Sequence, residues 1–170
     1  HGDRVAIWAP NLHEWVVASL AVHRIGAVLV TLNTRFKGSE AAHILNASGA
    51  RLLFTVTDFL ATDYVALLGD RAVVPAVEEV LVLRGERRGA DATWATFLER
   101  ADAVDPAAAA ALAARVRGAD TSDLLFTSGT TGAPKGAMLR HDASTRAFHA
   151  WATIVGLEAG DRYLVVNPFF

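Results

Sequence analysis

Short, continuously apolar runs recur along the chain at 4–9 (RVAIWA), 27–32 (AVLVTL), 51–56 (RLLFTV) and 80–83 (VLVL), with stretches of helical character between them. No other feature narrows the fold as far. A strand that is apolar at every position, not at every second one, must be buried on both faces. Such strands alternating with helices predict an α/β architecture, a mostly parallel sheet covered by helices on both sides with right-handed crossovers. At 170 residues the chain is about the size of one domain.

The connecting segments carry their own signals. Pro10 closes the first run, and Asn11 precedes Glu14 at capping-box spacing, which predicts a helix over 12–24. That helix is apolar nearly all round its middle, so cover on more than one side is expected. Gly26 suits a left-handed cap. Ser39 is expected to cap a helix through Ala47 that Gly49 ends, and a short helix is expected at 64–68. RGERRGAD at 84–91 reads as a solvated turn, since acids and glycines accompany its arginines. Asp105, Pro106 and the alanines that follow have the N-cap and first-turn proline of a helix that stops before Gly118, and the alanine run reads equally as a loosely packed connector.

A formal charge of −2 gives no global field for nucleic acid or an anionic membrane. The absence of cysteine excludes disulfides, thiolate metal sites and a cysteine nucleophile. His23 and Arg24 interrupt the longest apolar stretch before it could span a bilayer, so no transmembrane segment is expected. HGDRVAIW lacks the pattern of a signal peptide, and a cytoplasmic location is expected. The chain starts without methionine, and YLVVNPFF ends just after what reads as a buried strand. It therefore reads as a piece of a larger chain.

The stretch TSGTTGAPKG, 127–136, cannot contribute to a hydrophobic core. DLLFT before it is strand-like, GAMLR after it is again apolar, and Asp142 can cap a following helix over 143–155. The loop thus falls at a strand end of an α/β sheet, where ligands bind. Glycines let successive N–H groups converge on an anion, Ser128, Thr130 and Thr131 add hydroxyl donors, and Lys135 adds a compact charge. Of sixteen basic residues only Lys37 and Lys135 are lysines, which makes the loop lysine more suggestive. A Walker A loop is excluded, because Pro134 precedes Lys135 and Gly136 follows it. The dinucleotide fingerprint fails on the spacing of Gly129, Gly132 and Gly136.

DLLFTSGTTGAPKG resembles, without a departure, the phosphate-loop signature of the adenylate-forming superfamily of acyl-CoA synthetases, peptide-synthetase adenylation domains and luciferases. The likeness continues in GDRVAIWAPNLHEWVVASLAVHRIGAVLVTLNTR, in ILNASGARLLFT, and in NPFF, which resembles a later motif that ordinarily ends in histidine. It is weakest over 57–119. The resemblance implies that the chain is an incomplete N-terminal AMP-binding domain over 1–170. It implies that Thr127, Ser128, Gly129, Thr130, Thr131, Gly132 and Lys135 surround the β- and γ-phosphates of ATP. The implied chemistry, with Mg²⁺ present, turns a small-molecule carboxylic acid into an acyl-adenylate, then a thioester of coenzyme A. No catalytic residue is assignable, because the family's later motifs lie beyond Phe170, and the 170 residues alone are expected to be inactive.

RVAIWAPN, LNTRF and DRYLVVNPFF resemble most the CoA ligases of the long-chain and steroid-catabolic type, which implies a fatty or steroid-derived acid. An amino-acid adenylation domain and a non-catalytic nucleotide-binding remnant stay open beside this reading. Phe169 and Phe170 either line the acyl pocket or are two core aromatics at a strand end. No HExxH spacing occurs among the six histidines, so no metal ligand is assigned. His141, just after the strand beyond the loop, is the histidine near enough to matter. No G-x-S-x-G elbow is present, so Ser128 is not a hydrolase nucleophile. Trp8 and Trp15 read as core, and Trp151 as a helix face packed on the sheet.

Overall fold

The computed structural model describes residues 1–127 and 134–170. Its first half is built of alternating units: β1 (Arg4–Trp8), α1 (His13–Arg24), β2 (Val28–Thr31), α2 (Gly38–Ser48), β3 (Leu52–Val56), α3 (Tyr64–Leu68) and β4 (Glu79–Arg84). Then come β5 (Ala92–Thr93), α4 (Trp94–Glu99), α5 (Pro106–Arg115), β6 (Thr121–Thr127), β7 (Lys135–Arg140) and α6 (His141–Val155). The strands form one seven-stranded sheet in the order β5-β4-β3-β1-β2-β6-β7. Every pairing is parallel except β6 with β7. The α/β reading of the sequence holds.

Four consecutive buried residues in each of β1, β2, β3 and β4 mean that both faces of this part of the sheet are covered. Ile7, Trp8, Val30, Leu53 and Leu81 lie at its centre, each at most 1% exposed. The cover includes Trp15, Ala18 and Val22 of α1 and Ala41, Ile44 and Leu45 of α2. Trp8 packs edge-on against Tyr64 at 4.7 Å and donates its Nε1 proton to the Asn33 carbonyl at 3.0 Å. The Tyr64 hydroxyl donates to the Thr34 carbonyl at 2.9 Å. Two aromatic rings in the core thereby pin the chain where it leaves β2.

The double cover stops at β6. Most of its residues are half-buried, and β7 is exposed along nearly its whole length. Nor is α1 covered on more than one side. Its buried positions recur at helical spacing, while Val16, Val17 and Leu20 face out at 38%, 49% and 62% exposure. YLVV does not form a buried strand: Tyr163, Leu164, Val165 and Val166 lie outside the sheet and exposed. Trp151 packs on Tyr163 at 5.3 Å, not on the sheet.

Caps moved more than elements. Leu12 is the N-cap of α1 and makes no side-chain cap bond, so the Asn11–Glu14 box does not form. Helix α2 starts before Ser39, and the Glu40 carboxylate accepts the Lys37 N–H at 2.8 Å. Gly38 is required there, since a Cβ would run into the Leu67 carbonyl of α3. Gly49 ends α2 at φ 63°, as expected. Asp142 lies inside the first turn of α6, which starts at His141, one residue behind the expected cap. Asp63 and Asp105 cap α3 and α5 through their carboxylates. The turn is exposed over 84–90, as read, while Asp91 is buried beside Arg71, and two of the three arginines take carboxylate partners: Arg84 Nε reaches Glu14 at 3.0 Å and Arg88 Nε reaches Asp63 at 2.6 Å. β5 and α4, begun by the Thr93 hydroxyl, were not anticipated.

Candidate nucleotide and acid site

The carboxyl ends of β1, β2 and β6 lie at one edge of the sheet, because these strands run parallel. Thr127 is the last residue of β6, and Lys135, the first of β7, is its register partner. Directly opposed residues of an antiparallel pair project from the same face, with Cβ atoms roughly 5 Å apart. A hydroxyl and an ammonium, both exposed, therefore stand side by side at this edge. Ser128, Gly129, Thr130, Thr131 and Gly132, the rest of the expected phosphate site, lie outside the described residues.

Behind the pair, Phe126 lies opposite Gly136, and a Cβ on Gly136 would meet its ring at 3.2 Å. Gly136 thus serves close packing between the strands as well as loop composition. Phe126 packs against the core.

Phe169 and Phe170 return to the body of the protein half-buried, with no strand leading into them. Phe169 packs against Trp15 of α1 at 5.1 Å, and its N–H donates to Asn11 Oδ1 at 2.9 Å. Asn11 follows β1, so this contact lies at the carboxyl edge that also carries Thr127. Two strand spacings separate β1 from β6, about 10 Å. Sequence reasoning missed Asn11 as a partner of NPFF by assigning it to a helix cap.

His141 belongs elsewhere. β7 runs antiparallel to β6 and carries the chain back to the Thr121 end. Six residues of strand, about 20 Å, separate His141 from Lys135. There its ring lies 5.5 Å from that of His23, whose Nε2 is 3.1 Å from the Asp123 carboxylate. Burial works to raise the Asp123 carboxyl, and hydrogen bonds from His23 and Ser122 outweigh it, leaving Asp123 below the usual carboxylate range. The group ties α1 to the start of β6.

A cavity of about 540 Å³ opens at the opposite, amino edge, lined by Asp3, Arg4, Arg51 and Glu78 among others. Its charges satisfy one another: Arg51 bridges Asp3 at 2.9 Å and Glu78 at 2.8 Å, and Arg4 donates to the Ser48 and Gly49 carbonyls. The exposed hydroxyl and ammonium are at the other edge. Among the described residues no group of three or more His, Asp or Glu could hold a metal ion. Nor is any helix among them long and apolar enough to cross a membrane.

A mostly parallel sheet whose carboxyl edge carries an exposed hydroxyl and a lysine, on either side of the glycine-rich sequence SGTTGAP, fits a class: nucleotide-handling α/β domains. Within that class the chain belongs to the AMP-binding enzyme family, whose model matches residues 1–170. It is 48% identical over 169 residues to a methyl-dioxo-octahydro-indenyl-propanoyl:CoA ligase of Mycobacterium tuberculosis, an alignment covering 99% of this chain and 32% of that protein. The ligase of the same name from Rhodococcus jostii is 41% identical over 173 residues, covering 99% and 34%. The inhibitor-bound N-terminal domain of FACL13 from Mycobacterium tuberculosis superposes with a TM-score of 0.76 at 27% identity, covering 98% of this chain and 38% of that one. The chain spans about a third of the length of these curated relatives.

Proposed function

We propose that the chain carries the ATP-phosphate-binding part of an AMP-forming acid–thiol ligase, as an incomplete N-terminal domain over 1–170. In this reading a carboxylate oxygen attacks the α-phosphorus of ATP and pyrophosphate leaves. The sulfur of coenzyme A then attacks the acyl carbon and displaces AMP. Thr127, Lys135 and the loop between them supply hydrogen bonds and positive charge where negative charge builds on the departing pyrophosphate. The carrying observation is the Thr127–Lys135 register pair at the carboxyl edge, flanking SGTTGAP.

Magnesium is proposed to accompany the phosphates of ATP. The acid is proposed to be a compact fused-ring propanoate of the steroid-derived kind. Relatives named for such an acid align at 48% and 41% identity, against 35% for a long-chain-fatty-acid ligase. These names also support coenzyme A, not a carrier protein, as acceptor. Phe169 and Phe170 are proposed to border the acid. A cytoplasmic location goes with the use of ATP and coenzyme A.

The test is pyrophosphate–ATP exchange by the full-length protein across fused-ring, fatty and aromatic acids and amino acids. Exchange that requires a fused-ring acid, followed by thioester on adding coenzyme A, is the expected result. Exchange with amino acids alone, or with no acid at all, overturns the reading.

A further inference from the structure

After α6 ends at Gly156, the chain makes a long excursion without regular structure, and Leu164 and Val166 in it are about 80% exposed. Its hydrogen bonds up to Asp161 are local: Leu157 N to the Ala152 carbonyl, and Glu158 and Asp161 to each other. The chain rejoins the body of the protein at NPFF, and one side chain makes the two polar contacts described there. Asn11 Nδ2 donates to the Asn167 carbonyl at 2.9 Å, and Asn11 Oδ1 accepts the Phe169 N–H at 2.9 Å.

The pattern has a specific meaning. In an extended chain, the carbonyl of one residue and the N–H two residues later point to the same side. A parallel neighbour engages that pair through the N–H and carbonyl of a single residue. A primary amide offers the same donor and acceptor on one carbon, so Asn11 takes the place of a neighbouring strand for one residue pair. The bracketed residue is Pro168, which has no N–H to leave unpaired. Trp15, only 7% exposed, then receives the Phe169 ring at 5.1 Å. Amide and indole together fix where the backbone of NPFF runs, and hence where Phe170 stands.

We propose that Asn11 is a positioning residue. Through the backbone of Asn167 and Phe169 it sets the place of Phe170 at the carboxyl edge, and with it the recognition of the carboxylic acid substrate. The inference rests on the ligase reading above, so its test has one arm that needs no activity. Asn11→Leu keeps the size of the side chain and removes donor and acceptor. Asn11→Asp keeps the acceptor for Phe169 and removes the donor for Asn167.

In the full-length protein, amide hydrogen exchange of the peptide spanning 163–170 is expected to speed up in Asn11→Leu, less so in Asn11→Asp, with β1 and β3 unchanged. In pyrophosphate–ATP exchange, KM for the acid is expected to rise about tenfold in Asn11→Leu, the size expected from losing two modest hydrogen bonds. KM for ATP stays within about twofold, because the phosphate loop is untouched. Preference between a fused-ring acid and a straight-chain acid narrows at the same time.

Unchanged hydrogen exchange at 163–170 overturns the anchor, whatever the kinetics do. Faster exchange with the acid KM and acid preference unmoved overturns the link to substrate. A rise in both KM values together reduces Asn11 to a general structural role and overturns the proposal as well. A wild-type protein that exchanges pyrophosphate with no acid sinks the ligase reading and the substrate link with it, while the hydrogen-exchange arm still decides the anchor.

Discussion

The two sides of the sheet are built to different rules. From β1 to β4 every strand is covered on both faces, and the side chains that cover it come from helices interleaved with it in sequence. From β6 onward the chain holds the proposed phosphate site yet covers little of itself: Met138, Phe148, Ile154 and Leu164 are each more than 70% exposed. The first region is shaped by its own burial. In the second, the composition of 128–134 suits the proposed ligand, not a core, and the strands on either side hold Thr127 and Lys135 in register. The lesson is that the part with the most recognisable sequence is not the part that holds the fold together.

The largest effect expected from this contrast is in the first region. Leu53→Ala, at a site 1% exposed in β3, is expected to cost about 2–5 kcal/mol through lost burial and the cavity left behind. Urea unfolding of the purified chain measures it. A cost below about 1 kcal/mol would mean that the well-covered half is looser than its burial implies.

Next in size is a change at the site that should leave the fold alone. Lys135→Ala in the full-length protein is expected to lower kcat/KM for ATP about 10- to 100-fold, the range for removing one preorganised charge-assisted contact. The urea midpoint should not move, since Lys135 is exposed. A lowered midpoint with an unchanged ATP dependence would reverse the assignment and make Lys135 structural.

The tie between the two regions, Asp123 to His23, sharpens the comparison through pH. Because the folded Asp123 carboxyl lies below the usual range, its stabilisation is fully present above the unfolded carboxylate value near 4, and it is lost as pH falls through the folded value. Asp123→Asn is expected to cost about 1–3 kcal/mol at pH 7, the scale for a disrupted buried hydrogen bond to a charged group. The gap between variant and parent should close as pH drops below about 4. Urea midpoints at pH 7, 5 and 3.5 measure this, and a gap that stays constant with pH would rule out Asp123 ionisation as its source.

What the sequence disclosed follows local signal and not that division. β1, β2, β3 and β4 were legible because unbroken apolar runs have few places to go, and α5 and the end of α2 because Asp105, Pro106 and Gly49 act locally. β5 and α4 were not, since two residues of strand and a short helix carry too little periodicity. Asn11 misled because Asn before a helix serves equally as a cap or as a long-range hydrogen-bond partner, and only Asn167 and Phe169, far along the chain, decide between them. His141 misled through the antiparallel return of β7, a property of topology that no local spacing contains. For the site, the loop spelling indicated the residue types, and the pairing of Thr127 with Lys135 needed the sheet.

The smallest expected effect bears on the exposed half most directly. YLVV and Trp151 of α6 read as packed from sequence, because hydrophobicity alone cannot say whether a partner surface lies within the same stretch of chain. Ile154 is 83% exposed on α6, with little burial to lose. Ile154→Ala is therefore expected to shift stability of the purified chain by no more than about 0.5 kcal/mol, as for an ordinary surface position. Alanine even favours the helix slightly over a β-branched residue, so the sign can be stabilising. The measurement is the same urea series used for Leu53→Ala, run side by side. A loss approaching that of Leu53 would mean that α6 is buried in solution against a second copy. The loss should then shrink on dilution, whereas a surface position gives a midpoint independent of protein concentration.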